Sequence, residues 1–421
     1  MTRARFVPAK AALSALLVLG LAALLPAPAF PQASTCSPDV VQPSGAITRV
    51  CMPATGRWNG DLVVWAHGYV SPEEPVGIPE DQLSLPDGTS LPGLINALGF
   101  AFATTSYRKN GLAILPGVDD VKEAVAAFVA EQGPPRETYL VGASEGGAVT
   151  ALGVERHPEV FSGGVAACGP IGEFRRQINY WGDFRVLFDV YFPGLIPGSA
   201  VFVPQEVRDN WETVYAPGIM QAFQARPATL DELLRVGRAP FDSAAPETKA
   251  ETALGLLWYS AFATMDGIST LGGQPFDNSW RFYTGSSNDW LLNLRVKRYG
   301  ADPAAVQEME ANYQTSGRLT APLVTLHTTG DPIVPYWHEP LYTWKTLLGG
   351  SALERVNLPV LRYGHCQFEA AEALVSLVVL VLKVEGLPLR NAETVLPTAK
   401  ARARYRALAR AQGLRTPSRN R

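Results

Sequence analysis

Ser144 sits in the run Tyr139–Thr150, YLVGASEGGAVT, with Gly142 two residues before it and Gly146 two residues after. A serine hydroxyl is a weak nucleophile. To attack a carbonyl it needs a base beside it and hydrogen-bond donors for the oxyanion it creates. A sharp strand-to-helix turn lifts such a side chain clear of a sheet, and bulky flanking residues do not fit there. The helix that follows turns its free N–H groups and positive dipole end toward the hydroxyl. Glycine-bracketed serine between an apolar run and a helix-forming run therefore predicts a nucleophile elbow. The bland alternative is an idle serine in a glycine-rich turn.

The base must come from five histidines. In a parallel sheet carrying this elbow the chain order is serine, acid, histidine. His67 precedes the serine and reads as a brace for its own loop. His157 precedes any suitable acid, and His327 lies inside the strand before that acid. His338 follows Asp331 by seven residues, at the start of the next helix, and is the weaker rival. His365, in RYGHC after the last strand, is the expected general base and then general acid. Asp331, in TTGDPIVP, is the expected acid. It orients the imidazole and stabilises its cation without taking the proton. Gly-Asp-Pro alone is ordinary turn chemistry; its place between Ser144 and His365 is what singles it out. The oxyanion donors are expected to be the backbone N–H groups of Glu145, next after the nucleophile, and of Tyr69, in the HGYV loop after the first core strand. The Glu145 carboxylate is expected to point away toward a donor.

The elements that must position these residues alternate. GDLVVWAHGYV, FAFATTSY, TYLVGAS and GGVAACGP are short apolar strand-like runs, and segments of helical periodicity lie between them. That alternation predicts an α/β chain with a parallel sheet covered by helices on both faces. It stops near Pro170. Residues 171–320 hold Trp181, Trp211, Trp258, Trp280 and Trp290 among helical stretches and read as a mainly helical cap insertion. The larger share of these tryptophans is expected in the core rather than in a pocket. Strands resume at APLVTLHTTGDPIVP. The expected organisation is a first core part at 30–170, the cap at 171–320, a second core part at 321–389 and a basic tail at 390–421. The tail's nine Lys/Arg against Glu393 predict a solvated or frayed helix.

With these residues in place the chain resembles the α/β-hydrolase superfamily. The matching pieces are HGY after a core strand, GASEGG at the elbow, GDPIVP after the penultimate strand and GHC after the last. The resemblance covers about residues 61–170 and 321–384, and looks closest to secreted bacterial serine esterases and to the catalytic domains of prolyl-oligopeptidase-like peptidases. It implies a mostly parallel eight-stranded sheet and serine-dependent acyl transfer with Ser144, Asp331 and His365 as the triad. Tannase-like and feruloyl-esterase-like enzymes join serine and histidine through a disulfide between neighbouring cysteines. Here Cys366 follows His365 but Ala143 precedes Ser144, so the device carries over only through Cys168. The leading expectation is a carboxylic ester hydrolase; the alternatives are a peptidase or amidase on the same triad and, from another class, a non-catalytic binding module.

The compartment follows from the N-terminus. Arg3, Arg5 and Lys10 precede the apolar run Ala11–Leu25, and Ala27-Pro28-Ala29 fits a cleavage site. Residues 1–29 are expected to be a signal peptide, which puts the protein in the periplasm or outside the cell. Four cysteines then allow disulfides. Cys36 and Cys51 flank a likely turn and are paired, which leaves Cys168 with Cys366; the alternative for the latter two is buried free thiols. No cysteine or histidine spacing suits a metal, and the chemistry calls for no cofactor. A net charge of −3 gives no reason to expect nucleic acid. The expected partner is a small or oligomeric ester, with no stable membrane span.

Overall fold

The computed structural model of the protein describes residues 34–411. The expected signal peptide lies outside the described residues. A twisted sheet runs through the centre. Its strands are β1 (Thr35–Cys36), β2 (Val40–Val41), β3 (Ile47–Met52), β4 (Leu62–Ala66), β5 (Ala101–Thr105), β6 (Thr138–Ala143), β7 (Gly163–Ala167), β8 (Leu323–Gly330) and β9 (Arg355–Tyr363). The order is β1-β3-β5-β4-β6-β7-β8-β9, and β2 also pairs with β3. β5-β4-β6-β7-β8-β9 are parallel throughout, while β1, β2 and β5 meet β3 antiparallel. The count is therefore nine rather than the expected eight. The surplus is at one edge, where two-residue stubs pair with β3. β3 itself was not legible as a strand, because ITRVCM carries Arg49 and Thr48 and lacks the continuous apolar run of the central strands.

All five residues of β4 and of β5 are buried. That is why they read as unbroken apolar runs: helices cover both faces of a parallel sheet. One face packs on α1 (Leu91–Ala97) and α7 (Ala370–Val384), the other on α2 (Ile114–Gln132) and α3 (Glu145–Arg156). α7 turns a broad apolar face to the sheet. Leu374, Val375, Leu377, Val379, Leu380 and Leu382 are all buried, each contributing about 1.5–3 kcal/mol relative to exposure. Its N-terminus carries a capping box between Glu369 and Glu372.

After β4 the chain goes to β5 on one side and then to β6 on the other. The winding direction thus reverses at the carboxyl end of β4. Open α/β sheets bind ligands in the crevice at such a switch point. Between β7 and β8 the described residues are largely helical and build a separate apolar cluster on α4 (Phe174–Tyr191) and α5 (Thr248–Thr270). α6 (His338–Leu348) follows β8.

The basic C-terminal segment is not the solvated helix its charge suggested. α8 (Ala399–Ala411) docks on the α7 side, with Ala401, Tyr405 and Leu408 buried. The Glu372 carboxylate, fully buried, explains the docking: Arg362 reaches it at 2.9 Å and Arg404 of α8 pairs with it as well. A buried carboxylate needs such partners to stay charged. Trp280 and Trp290 also differ from the expectation of core burial; they are 98% and 76% exposed.

Candidate active site

The elbow is built by close contact. A Cβ on Gly142 would lie 2.2 Å from the Gly146 carbonyl oxygen, and one on Gly146 would lie 2.0 Å from the Ala66 carbonyl oxygen. Only glycine lets α3 start this tightly against β4 and β6. Ser144 takes φ 58° and ψ −120°, a positive-φ conformation that a non-glycine residue adopts at a cost. Its N–H donates to the Ala167 carbonyl at 2.9 Å, which fixes the turn to β7.

Three side chains far apart in sequence meet there. His365 Nε2 is 2.8 Å from Ser144 Oγ, and His365 Nδ1 is 2.7 Å from Asp331 Oδ2. The other oxygen, Asp331 Oδ1, accepts the N–H groups of Ile333 and Val334, each at 2.9 Å. Asp331 is fully buried. Burial pushes its carboxyl up, but the His365 charge and the hydrogen bonds from His327 and His365 outweigh that and hold it down at about 2. The loops carrying acid and imidazole are stapled together. Thr328 Oγ1 donates to the Gly364 carbonyl at 2.6 Å, and the Gly364 N–H donates to the Gly330 carbonyl at 3.2 Å. From α4, Tyr180, Gln177 and Trp181 donate to the carbonyls of Pro332 and Ile333.

Behind Asp331 lies a residue the chain order had set aside. His327 Nδ1 faces Glu339 Oε1 at 3.2 Å. Its Nε2 faces the Val334 carbonyl at 2.8 Å and Asp331 Oδ2 at 3.5 Å. All these partners are acceptors, so both ring nitrogens must carry protons. Burial opposes that charge, but the carboxylates of Asp331 and Glu339 override it and raise the imidazole to about 10. Arg355 pairs with the same Glu339.

The amides expected to receive the oxyanion belong to Glu145 and Tyr69. The Glu145 amide opens α3, where the first N–H groups lack intrahelical acceptors. Tyr69 lies beside Ser144 in the lining of the same space. Gln82 holds its loop: Oε1 accepts the Gly68 N–H at 2.6 Å and Nε2 donates to the Tyr69 carbonyl at 3.4 Å. Gln82 lies in a short 3-10 helix, Glu80–Leu83, inside a Pro-rich stretch that reads as loop, so nothing in the sequence marks it. His67 stacks on Tyr107 at 3.9 Å and its Nδ1 bonds the Gly68 carbonyl at 2.7 Å.

The Glu145 side chain turns toward the Ala113 N–H, with Oε1 2.7 Å from it. Its burial raises the carboxyl to about 8, more than the Ala113 bond can offset. His338 is elsewhere: its Nε2 bonds Gln177 at 2.8 Å and its Nδ1 accepts the Gly172 N–H at 2.9 Å. The cap contributes an aromatic roof. Tyr259 stacks on Trp181 with centroids 5.0 Å apart and lies 5.7 Å from the Tyr69 ring.

Both expected disulfides are present, Cys36–Cys51 and Cys168–Cys366. Cys168, Cys366 and His365 cluster within 4.8 Å. With both sulfurs in a disulfide the trio offers no thiolate to a metal. Among the described residues no helix is long and apolar enough to cross a membrane.

No family model matches the chain, and no curated protein does either. Among solved structures it is similar to Candida antarctica lipase A in its closed state, at 15% identity and a TM-score of 0.46 over 86% of this chain and 82% of that one. Feruloyl esterase B from Aspergillus oryzae gives 15% and 0.43 over 81% of this chain and 78% of that one. Puromycin hydrolase gives 11% and 0.43 over 86% of this chain; the match spans 41% of that longer chain. The strand order, the reversal at β4 and the strand–elbow–helix unit after β6 give this chain the α/β-hydrolase fold.

Proposed function

We propose that the protein is an exported serine hydrolase that cleaves carboxylic esters through Ser144, His365 and Asp331. The observation that carries this reading is the hydrogen-bonded line from Asp331 Oδ2 through both His365 nitrogens to Ser144 Oγ, at 2.7 and 2.8 Å. These are working distances for proton transfer. His365 takes the hydroxyl proton as Ser144 Oγ bonds to the ester carbon. The Tyr69 and Glu145 amides receive the oxyanion. As the carbon–oxygen bond to the alcohol breaks, His365 returns the proton to the leaving oxygen. Water then repeats the sequence on the acyl-enzyme, and the acid and Ser144 are released. Asp331 stays ionised and orients the ring. The two disulfides are compatible with an exported protein.

The test is a fluorophosphonate probe together with p-nitrophenyl esters and aminoacyl p-nitroanilides. The expected result is labelling that vanishes in Ser144→Ala, ester turnover lowered by at least about a thousandfold in that variant, and an unchanged melting temperature. Turnover retained by Ser144→Ala would sink the reading. Anilide cleavage outrunning ester cleavage would replace it with a peptidase.

A further inference from the structure

Ser144 and His365 also line a cavity of about 480 Å³. It runs along the sheet face covered by α1 and α7. Its walls are Val63 and Phe102 from the strands, Leu94 and Ile95 from α1, and Leu374 and Leu377 from α7. Packed interiors hold few voids larger than one water molecule, and an unfilled cavity costs stability in proportion to its volume. A space this large in the apolar core is therefore a feature to be explained. It falls within the roughly 300–1,000 Å³ of small-molecule sites. Its exposed rim is polar, formed by Asp81, Ser84 and Gln367.

We infer that this cavity is the binding site for a linear aliphatic acyl chain, so that the preferred substrates are esters of medium- to long-chain carboxylic acids. The inference rests on the serine-hydrolase reading for its catalytic consequence, though not for the binding itself. The six named wall residues are hydrocarbon or phenyl, and the polar groups set among them, the Trp65 indole and the Ser376 hydroxyl, are neutral, so this wall offers no counter-charge to a charged chain. The chain belongs to the acyl half because the acyl group stays on Ser144 Oγ after the alcohol has gone, and Ser144 is part of the wall. Taking about 30 Å³ for a water-sized group, the space admits at most on the order of sixteen methylenes. On the other side of Ser144, beneath Tyr259 and Trp181, the cavity is only about 50 Å³. It suits a compact group.

The inference is tested with p-nitrophenyl esters from acetate to hexadecanoate, and by titrating butyrate, octanoate and dodecanoate into Ser144→Ala. kcat/KM is expected to rise roughly two- to fourfold per added methylene from C4 to about C10, and dodecanoate to bind at least about tenfold more tightly than butyrate. Leu377→Trp, which adds bulk from α7, is expected to lower the C12-to-C4 ratio of kcat/KM at least about tenfold. Ile95→Phe narrows the opposite wall and serves if Leu377→Trp does not fold, as judged by circular dichroism. A profile flat in chain length with binding equally flat overturns the site, even where a fluorophosphonate labels Ser144. Chain-dependent binding in a protein that resists labelling keeps the site and removes the catalytic reading. Acetate esters of long alcohols turned over faster than long-chain acyl esters overturn the acyl assignment.

Discussion

Cys168 and Cys366 join the end of β7 to the loop that presents His365. Cys366 Sγ lies 3.5 Å from His365 Nε2. The bond spans 198 residues of sequence and closes the circuit around the site, since the Ser144 N–H is anchored to Ala167, the residue before Cys168. The expected consequence is that Cys168→Ala/Cys366→Ala lowers kcat roughly ten- to a hundredfold by freeing the imidazole. It also lowers stability by up to about 5 kcal/mol on the loop-entropy account. Breaking Cys36–Cys51 at the sheet edge is the control. Kinetics well below the melting temperature separate the two effects, and equal kcat in the two mutants would show that the Cys168–Cys366 bond does not position His365.

Glu145 carries a second prediction. Its carboxyl, raised to about 8 by burial, is neutral at pH 6 and charged at pH 10, next to the amide expected to receive the oxyanion. Charging it opposes the developing negative charge. Wild-type kcat/KM is expected to fall on the order of tenfold above pH about 8, and Glu145→Gln to keep its plateau there. The raised carboxyl has a stability counterpart: the folded state binds the extra proton, so the contribution is largest below pH 4.5 and is lost as pH rises through about 8. Coincident pH profiles for the two proteins would reject the assignment.

His327 bears on stability in alkali. Its imidazole is raised from 6.5 to about 10 by Asp331 and Glu339. The stabilisation is therefore complete below pH about 6.5 and disappears as pH climbs through about 10. Urea unfolding should show His327→Gln less stable than wild type at pH 6.5 by a few kcal/mol, on the order set by a shift of this size. The gap should close by pH 10.5. A gap independent of pH would mean that the ring is not held as a cation.

Under the proposed mechanism Gln82 acts as a positioning residue. Gln82→Ala leaves the Gly68 N–H without its acceptor and frees the loop that carries the Tyr69 amide. kcat is expected to fall about tenfold with KM changed little, because a loosened oxyanion donor affects the transition state more than the ground state. Gln82→Glu, which keeps an acceptor, should recover part of that loss. A change confined to KM would refute the role.

The chain by itself determined whatever is local. The crowding that demands Gly142 and Gly146 lies within a few residues of Ser144, so the pentapeptide records it. The strands β4 to β7 announce themselves as apolar runs because both of their faces are buried. The order of Ser144, Asp331 and His365 along the chain follows from the order of the strands that carry them. Only the tertiary structure decided what depends on approach through space. Glu145 reaches the Ala113 N–H across 32 positions, and Gln82 reaches Gly68 across 14. Neither pairing has a period or a motif. The charge on His327 exists because three acceptors, two from the turn after β8 and one from α6, surround one ring. The charge of the basic C-terminal segment predicts a solvated helix, whereas α8 docks because Arg404 pairs with the buried Glu372 carboxylate. The cavity beside Ser144 is a property of how α1 and α7 fail to fill the space over the sheet. Burial patterns in a sequence report which side chains turn inward; whether they meet is set by backbone geometry that no single segment contains.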